Sequence, residues 1–281
     1  MSTSSFPTQV DLRRKPLLQR IRTTLDLLGM LLKRDLDARY KGALLGKLWP
    51  LINQAVQIVI YTVVFSTIMV AHVDIPGLNN SKLAFGVWLF TGLLPWIGFA
   101  GGISASATAV ISQPNFVKKI VFPLPLLPVV PVITALIESL FGLLPLLIVV
   151  VAITHKLQPT ILLLPIVWVV QALFTIGLAY VAAAITVYLR DIPQSIATIL
   201  NVWFYLTPII YPLSTLPAPV RRFVKFANPM TAFVDVYRDL ILAGEIRDPA
   251  VLLCAGIWTV VVFVVGFTLY RRLQVAFADV L

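Results

Sequence analysis

The chain contains little charge, a single cysteine and only two histidines. Only 12% of its 281 residues are charged, against about 25% in soluble domains. The single cysteine, Cys254, lies within an apolar run and excludes an internal disulfide. The two histidines, His72 and His155, have no companion ligands at metal-binding spacing, and no Ser–His or Cys–His pairing favours nucleophilic catalysis. We expect no catalytic residue and no metal site.

A phosphate-binding loop is also lacking. The segment from Gly42 to Leu48 superficially resembles one, but three residues separate Gly42 from Gly46 where four are needed. Leu48 then replaces the Ser or Thr that would hold magnesium. We therefore expect no enzyme activity and no cofactor on this chain. If ATP drives its function, ATP and magnesium should bind to a separate partner subunit.

Long apolar runs are abundant, since 59% of the residues are hydrophobic. Six runs are long enough to cross a hydrocarbon core of about 30 Å. We predict an all-α integral membrane protein whose six transmembrane helices cover residues 48–70, 83–111, 128–153, 161–188, 192–211 and 249–270. They would form one membrane domain, 48–271, between an N-terminal tail, 1–19, and a C-terminal tail, 272–281.

The net charge of +10 is concentrated in the N-terminal arm and in the loops between the apolar runs. This distribution suits anionic lipid headgroups better than nucleic acid. With the N-terminus inside, 15 of the 22 Lys and Arg residues fall on the inner side, ten of them before residue 48. The positive-inside rule then predicts a multi-pass protein of the cytoplasmic (inner) membrane with both termini in the cytoplasm.

Residues 20–47 combine apolar positions at helical spacing with basic residues on the other side. The apolar positions are Ile21, Leu25, Leu28, Leu32 and Leu36. This pattern is typical of an amphipathic helix that lies in the membrane interface, and here it leads into the first span.

The fifth connection is too apolar for a plain loop. Asn228 followed by Pro229 favours a helix start, and Gly244 suits a helix C-terminus. We predict a re-entrant hairpin at 213–245, made of two short helices that dip into the outer leaflet. An amphipathic hairpin on the outer surface, with no gating role, is the alternative. Asp235 and Asp239, one helical turn apart, could perform acid–base work but are more typical of a solvated face.

Two stripes of uncharged polar side chains run along the first and fifth spans. They are Asn53, Gln57 and Tyr61 in the first, and Gln194, Thr198, Asn201 and Tyr205 in the fifth. Each set lies on one helix face, and the amides, together with the rings of Trp203, Phe204 and Tyr205, would suit a hydroxylated sugar chain. Polar stripes also hold membrane helices together, and boundary aromatics also form belts, so both interpretations stay open.

Glu138 is the only carboxylate well inside a predicted span. A charge there is costly, which makes this residue a functional candidate by default. The alternatives are a neutral, protonated group or a structural group hydrogen-bonded to a neighbouring helix.

Several short strings, in order along nearly the whole chain, resemble those of polysaccharide-exporting ABC-2 permeases. The first set opens the first span: Arg39-Tyr40-Lys41-Gly42, Leu45-Gly46 and Leu48-Trp49-Pro50. The second set follows span two: Phe116-Val117-Lys118-Lys119-Ile120-Val121-Phe122-Pro123 and Leu127-Pro128. Later strings are Arg190-Asp191-Ile192, Pro208-Ile209-Ile210-Tyr211-Pro212 and Asn228-Pro229. The set is most similar to O-antigen (Wzm-type) permeases, with capsule and teichoic-acid permeases as near relatives. One departure is Leu124-Pro125, where many relatives carry Arg.

The resemblance implies a homodimer that works with two copies of a separate ABC ATPase and exports a lipid-linked polysaccharide. It implies that the first and fifth spans line the channel, where the two polar stripes and Trp203 and Phe204 lie. It implies ATPase coupling through Arg39, Tyr40, Asn115, Phe116, Val117, Lys118 and Lys119. It implies an outer gate that contains Phe223, Phe226, Asn228, Pro229, Phe233 and Tyr237.

Three other functions stay open from the sequence. A proton-coupled secondary transporter that uses Glu138 would be active without an ATPase. A membrane-embedded transferase that uses the outer carboxylates would lose turnover when Asp235 or Asp239 is changed. Within the ABC class, the nearest rival is an ABC-2 exporter of lipids or drugs.

Overall fold

The computed structural model describes residues 17–64, 84–118 and 122–281, and within these ranges it contains helices and no β-strand. The prediction of an all-α protein is therefore confirmed for the described part of the chain. The helices are α1 Leu17–Arg39, α2 Trp49–Val63, α3 Ala84–Ala107, α4 Pro114–Lys118, α5 Leu126–Leu140, α6 Leu143–Thr154, α7 Leu164–Tyr188, α8 Ile192–Leu206, α9 Ala218–Ala227, α10 Pro229–Arg238, α11 Pro249–Leu273 and α12 Phe277–Val280.

Four helical stretches in the described ranges are long and apolar enough to cross a membrane. They are Ala84–Ala107, Leu126–Thr154, Pro159–Tyr188 and Pro249–Val280, and they match the predicted second, third, fourth and sixth spans. Helices α2 and α8 have 15 residues each, which gives a length of about 22 Å, less than the ~30 Å of a hydrocarbon core. The outer end of the predicted first span, 65–70, lies outside the described residues. A total of six spans therefore stays a prediction.

The fifth predicted span ends earlier than the sequence suggested. Helix α8 stops at Leu206, whereas the prediction extended to residue 211. The residue after it, Thr207, is extended, with φ −97° and ψ 134°, because it precedes Pro208 and a residue before proline is disfavoured in the helical region. The chain then turns away through Ile209 toward helices α9 and α10.

The third predicted span consists of two helices, α5 and α6, separated by Phe141 and Gly142. Pro145 provides the physical reason. It has no N–H to donate to the carbonyl of Phe141, and its ring clashes with that carbonyl in a regular helix. The break lies just after Glu138, which is therefore close to a helix end.

Helix α3 lies at the centre of the protein. It contacts α2, α5, α6, α7, α8 and α10, and most of its side chains are buried. Helices α7 and α11 pack closely against each other. A Cβ added at Gly266 would lie only 2.0 Å from the carbonyl oxygen of Gly177, so the two backbones approach each other there. Such backbone contact through small residues is a common packing mode of membrane helices.

The predicted amphipathic helix is present as α1, which ends at Arg39, and the rest of the predicted segment 20–47 leads toward α2. Gly42 then adopts a left-handed φ of +80°, which favours glycine and turns the chain. Leu31 is buried, and Leu28 and Leu32 pack against an apolar cluster formed with α5, α7 and α11. Ile21 remains exposed. One side of α1 is therefore attached to the helix bundle.

Candidate functional site

Asn228 connects the start of α10 to the end of α8. Its Oδ1 accepts hydrogen bonds from the backbone N–H of Met230 at 3.1 Å and from Nε1 of Trp203 at 2.9 Å. Its Nδ2 donates to Oγ1 of Thr207 at 3.0 Å and to the carbonyl of Leu206 at 3.2 Å. The predicted helix start at Asn228-Pro229 is therefore confirmed. The same side chain joins a predicted gate residue to a predicted channel residue, Trp203.

Arg238 connects the other end of α10 to the same region, and the sequence analysis did not single it out. Its guanidinium donates to the carbonyls of Pro208 at 2.7 Å, Ile209 at 2.8 Å and Trp88 at 3.3 Å. It also lies over the Trp88 ring, 3.5 Å from the centroid. The residue is only 7% exposed. The sequence did contain a signal for this role. The helix α8 ends before Pro208, so the carbonyls that follow it have no helical partner, and such carbonyls need a donor such as arginine when they are buried.

A groove of about 490 Å³ lies between α8 and α9. Its walls come from Thr198, Ile199, Val202, Trp203 and Leu206 on one side, and from Phe223, Val224, Ala227, Asn228 and Pro229 on the other. The structure thus brings two predicted channel residues, Thr198 and Trp203, together with three predicted gate residues. Most of these side chains are apolar, so the groove offers mainly hydrophobic surface.

The predicted channel face of α8 divides into two parts. Gln194, Thr198, Asn201 and Tyr205 are exposed on one side of the helix and are not covered by the described part of the chain. Trp203 and Phe204 turn inward instead. The Trp203 ring lies edge-on to Phe99 at 5.1 Å, and the Phe204 ring lies 5.6 Å from Trp96.

The predicted stripe on α2 is less open. Asn53 is exposed, whereas Gln57 and Tyr61 are half-buried. Nε2 of Gln57 lies 3.5 Å from the Tyr61 hydroxyl, at the limit of a hydrogen bond. The two stripes thus keep uncharged polar groups on the surface of one chain, where a second copy or a polar solute could contact them.

The predicted gate residues on α9 and on α10 differ in burial. Phe223 and Phe226, on α9, are exposed. Phe233 and Tyr237, on α10, are buried, and the Tyr237 hydroxyl donates to Oε1 of Gln171 at 3.0 Å. Helix α10 is thus part of the apolar core, and α9 lies outside it.

A charged cavity of about 430 Å³ lies beside α10. Its carboxylates are paired with cations: Arg238 with Asp235 at 3.9 Å, Arg247 with Asp239 at 3.6 Å, and Lys225 with Asp248. The hydrogen bond from Lys225 lowers the pKa of the Asp248 carboxyl. Asp235 and Asp239 thus belong to separate ion pairs, an arrangement that supports a structural role for them.

Glu138 is held by the end of α1. Its Oε2 lies 3.0 Å from Nη1 of Arg39, and its Oε1 accepts a hydrogen bond from the Tyr40 hydroxyl at 2.5 Å. Burial, followed by the bond to Glu138, raises the pKa of Tyr40. The structure therefore supports the hydrogen-bonded alternative for Glu138. The same contacts join two predicted coupling residues to α5.

The remaining predicted coupling residues lie on α4, apart from Lys119, which is outside the described residues. Asn115 and Lys118 are exposed, and Phe116 and Val117 are half-buried. The Phe116 ring packs 4.8 Å from Phe122. Helix α4 thus exposes its polar side chains, while its apolar side chains pack against the rest of the protein.

Comparisons with known proteins agree along most of the chain. The family model described as ABC-2 type transporter matches residues 26–242. The O-antigen export system permease protein RfbA of Myxococcus xanthus is 31% identical over 254 residues, which cover 90% of this chain and 94% of that protein. A protein of the same name from Klebsiella pneumoniae is 28% identical over 262 residues, 91% of this chain and 95% of that protein. The polysialic acid transport protein KpsM of Escherichia coli is 23% identical over 253 residues, which cover 86% of this chain and 92% of that protein. The chain therefore belongs to the ABC-2 type transporter family.

Proposed function

We propose that this chain is the membrane-spanning permease subunit of an ATP-driven ABC transporter. The transporter would export a lipid-linked polysaccharide, O-antigen in the first place, across the cytoplasmic membrane. The observation that carries the proposal is the similarity along about nine-tenths of the chain to proteins named as O-antigen export permeases. A capsule exporter is the second candidate, because a polysialic acid transport protein is also similar over most of its length.

The uncovered face of α8 supports this function chemically. A sugar chain brings many hydroxyls, and each one buried without a partner costs about 1–3 kcal/mol. A row of amides and hydroxyls, such as Gln194, Thr198 and Asn201, offers many modest hydrogen bonds and no fixed charge. In a twofold homodimer, the face would occur twice around a central path, together with the stripe on α2. The homodimer is part of the proposal.

The proposed topology has six spans and both termini in the cytoplasm. Helix α8 would cross most of the membrane, and the outer segment of α9 and α10 would re-enter the outer leaflet beside it. The hydrogen bonds of Asn228 and Arg238 at the end of α8 are consistent with such a return. The excess of Lys and Arg on the proposed inner side gives the orientation.

The energy source would be two copies of a separate ABC ATPase, which would carry ATP and magnesium. We propose that they dock at α4 and at the Arg39–Tyr40 end of α1. The ion pair of Glu138 with Arg39 supports a structural role for this carboxylate and disfavours a proton-coupled cycle. The polar side chains of Asn115 and Lys118 are exposed and would be available to contact the ATPase.

Restoring export in cells that lack this chain tests the proposal. We expect the chain to restore surface polysaccharide only when its ABC ATPase is also present and active. The matched control is the same pair with an ATPase that cannot hydrolyse ATP. Export without any ATPase, or magnesium-dependent ATP hydrolysis by the purified chain alone, would contradict it. The glycan that accumulates inside depleted cells distinguishes O-antigen from capsule.

A further inference from the structure

The end of the chain, predicted to be a plain tail, is packed into the inner side of the protein. After α11 ends at Leu273, a short turn, Gln274–Ala276, leads into α12. Phe277 is fully buried. Its ring lies edge-on to Tyr270 at 5.5 Å and 6.2 Å from Tyr188. The last residues are therefore an ordered part of the bundle.

Helix α12 lies against α4 and α7. Phe116 and Val117 of α4 pack on the same apolar cluster that contains Phe277. A second attachment of α4 comes from α1: the Arg34 guanidinium lies 5.6 Å from the Phe116 ring, and its Nη2 donates to Oε1 of Gln113 at 3.4 Å. Helix α4 is thus held by both α1 and α12.

Helix α4 needs such neighbours because it has only five residues and none of them is buried. A helix of this length is not stable by itself in water, so its position depends on its contacts. The inner end of α11 is in turn tied to its surroundings. The Tyr270 hydroxyl donates to the carbonyl of Leu124 at 2.9 Å, and the Tyr188 hydroxyl donates to that of Leu273 at 2.9 Å. A continuous set of contacts thus connects α4 with α7 and α11.

We propose that α12 is part of the ATPase-coupling site and that Phe277 is its positioning residue. Phe277 fixes α4 against the inner ends of α7 and α11. A displacement of α4 by a bound ATPase is then passed to these two long helices as well as to α5. This inference rests on the proposed function, because it assigns the last helix to the same docking site.

Phe277→Ala in the complete transporter, purified with its own ATPase subunit, tests the positioning role. The first readout is amide hydrogen exchange at residues 113–118, which should become roughly tenfold faster once α4 loses its support. The second readout is polysaccharide exported per ATP hydrolysed, which should fall several-fold while ATP hydrolysis continues. Val280→Ala is the matched control, since Val280 lies on the same helix and is 43% exposed. It should change neither readout.

Phe277→Met covers the case in which the alanine variant fails to fold. Methionine fills much of the space without the ring contacts, so we expect a folded protein. Its hydrogen exchange and its export per ATP should change in the same directions as in the alanine variant, but by less. Wild-type exchange at residues 113–118 in either folded variant overturns the positioning role. Faster exchange with unchanged export per ATP overturns the coupling role. A wild-type complex that exports no polysaccharide overturns the proposed function instead, while the exchange result still decides whether Phe277 positions α4.

Discussion

Replacing Arg238 is expected to separate the C-terminal end of α8 from α3 and α10. The guanidinium satisfies three carbonyl groups at once, and its two shortest bonds go to the residues just after α8, Pro208 and Ile209. Methionine is the informative replacement, because it keeps much of the volume and removes every donor. Lysine is the second variant, since its single ammonium cannot match the fork of a guanidinium.

The expected cost follows from the two short bonds. Each buried carbonyl left unpaired costs about 1–3 kcal/mol, so Arg238→Met should destabilise the protein by about 2–6 kcal/mol. At about 2–4 °C per kcal/mol for a chain of this size, the melting temperature should fall by on the order of 10 °C. Arg238→Lys should cost about half as much, because the ammonium can still bond one of the carbonyls. Export should decrease in the same order.

Thermal unfolding of the protein purified in detergent measures this effect, with Arg247→Met as the control. Arg247 pairs with Asp239 in the same outer segment, but its side chain is 54% exposed. An exposed pair contributes about 0–1 kcal/mol, so this variant should melt within a few degrees of wild type. If Arg238→Met melts together with Arg247→Met, the buried bonds contribute little and the reasoning is wrong.

Three further predictions concern the proposed path and its coupling. Glu138→Gln should retain export, because an amide still accepts from Tyr40 and the lost ion pair is partly exposed, worth about 1 kcal/mol or less; export that stops while ATPase activity stays intact would favour proton coupling. Phe116→Ala should lower export several-fold at normal insertion, as read from surface polysaccharide and membrane content, and unchanged export would remove α4 from the docking site. In a Cys254→Ala background, a water-soluble thiol reagent should label a cysteine at Thr198 at least about tenfold faster than one at Leu200, which is buried, because the reagent reaches a buried position only after local opening; equal rates would contradict the channel face.

The helices of this protein were predictable where the signal is local. A long apolar run specifies a helix that can cross a membrane without reference to any partner, and α3, α7 and α11 lie where such runs occur. The start of α10 follows from Asn228 and Pro229, because the capping bond connects residues two positions apart. The left-handed Gly244, with φ +79°, ends the outer helical segment for an equally local reason.

The limits of these predictions also have local causes. Helix α8 was predicted too long, since the sequence from Ile192 to Tyr211 contains no charged residue and the effect of Pro208 on its neighbour was not weighed. The break after α5 was missed for the same reason at Pro145. In both places one backbone position overrode the hydrophobic pattern.

The sequence by itself determined a helical membrane protein, its apolar segments and the start of α10 at Asn228-Pro229. The tertiary structure decided which polar groups meet: Arg238 with Trp88, 150 residues away, and Glu138 with Arg39, 99 residues away. It also turned Trp203 inward and buried Phe277. Helix periodicity tells which side chains share a face, but the partner of that face depends on how distant helices pack, and no short window of sequence contains that information.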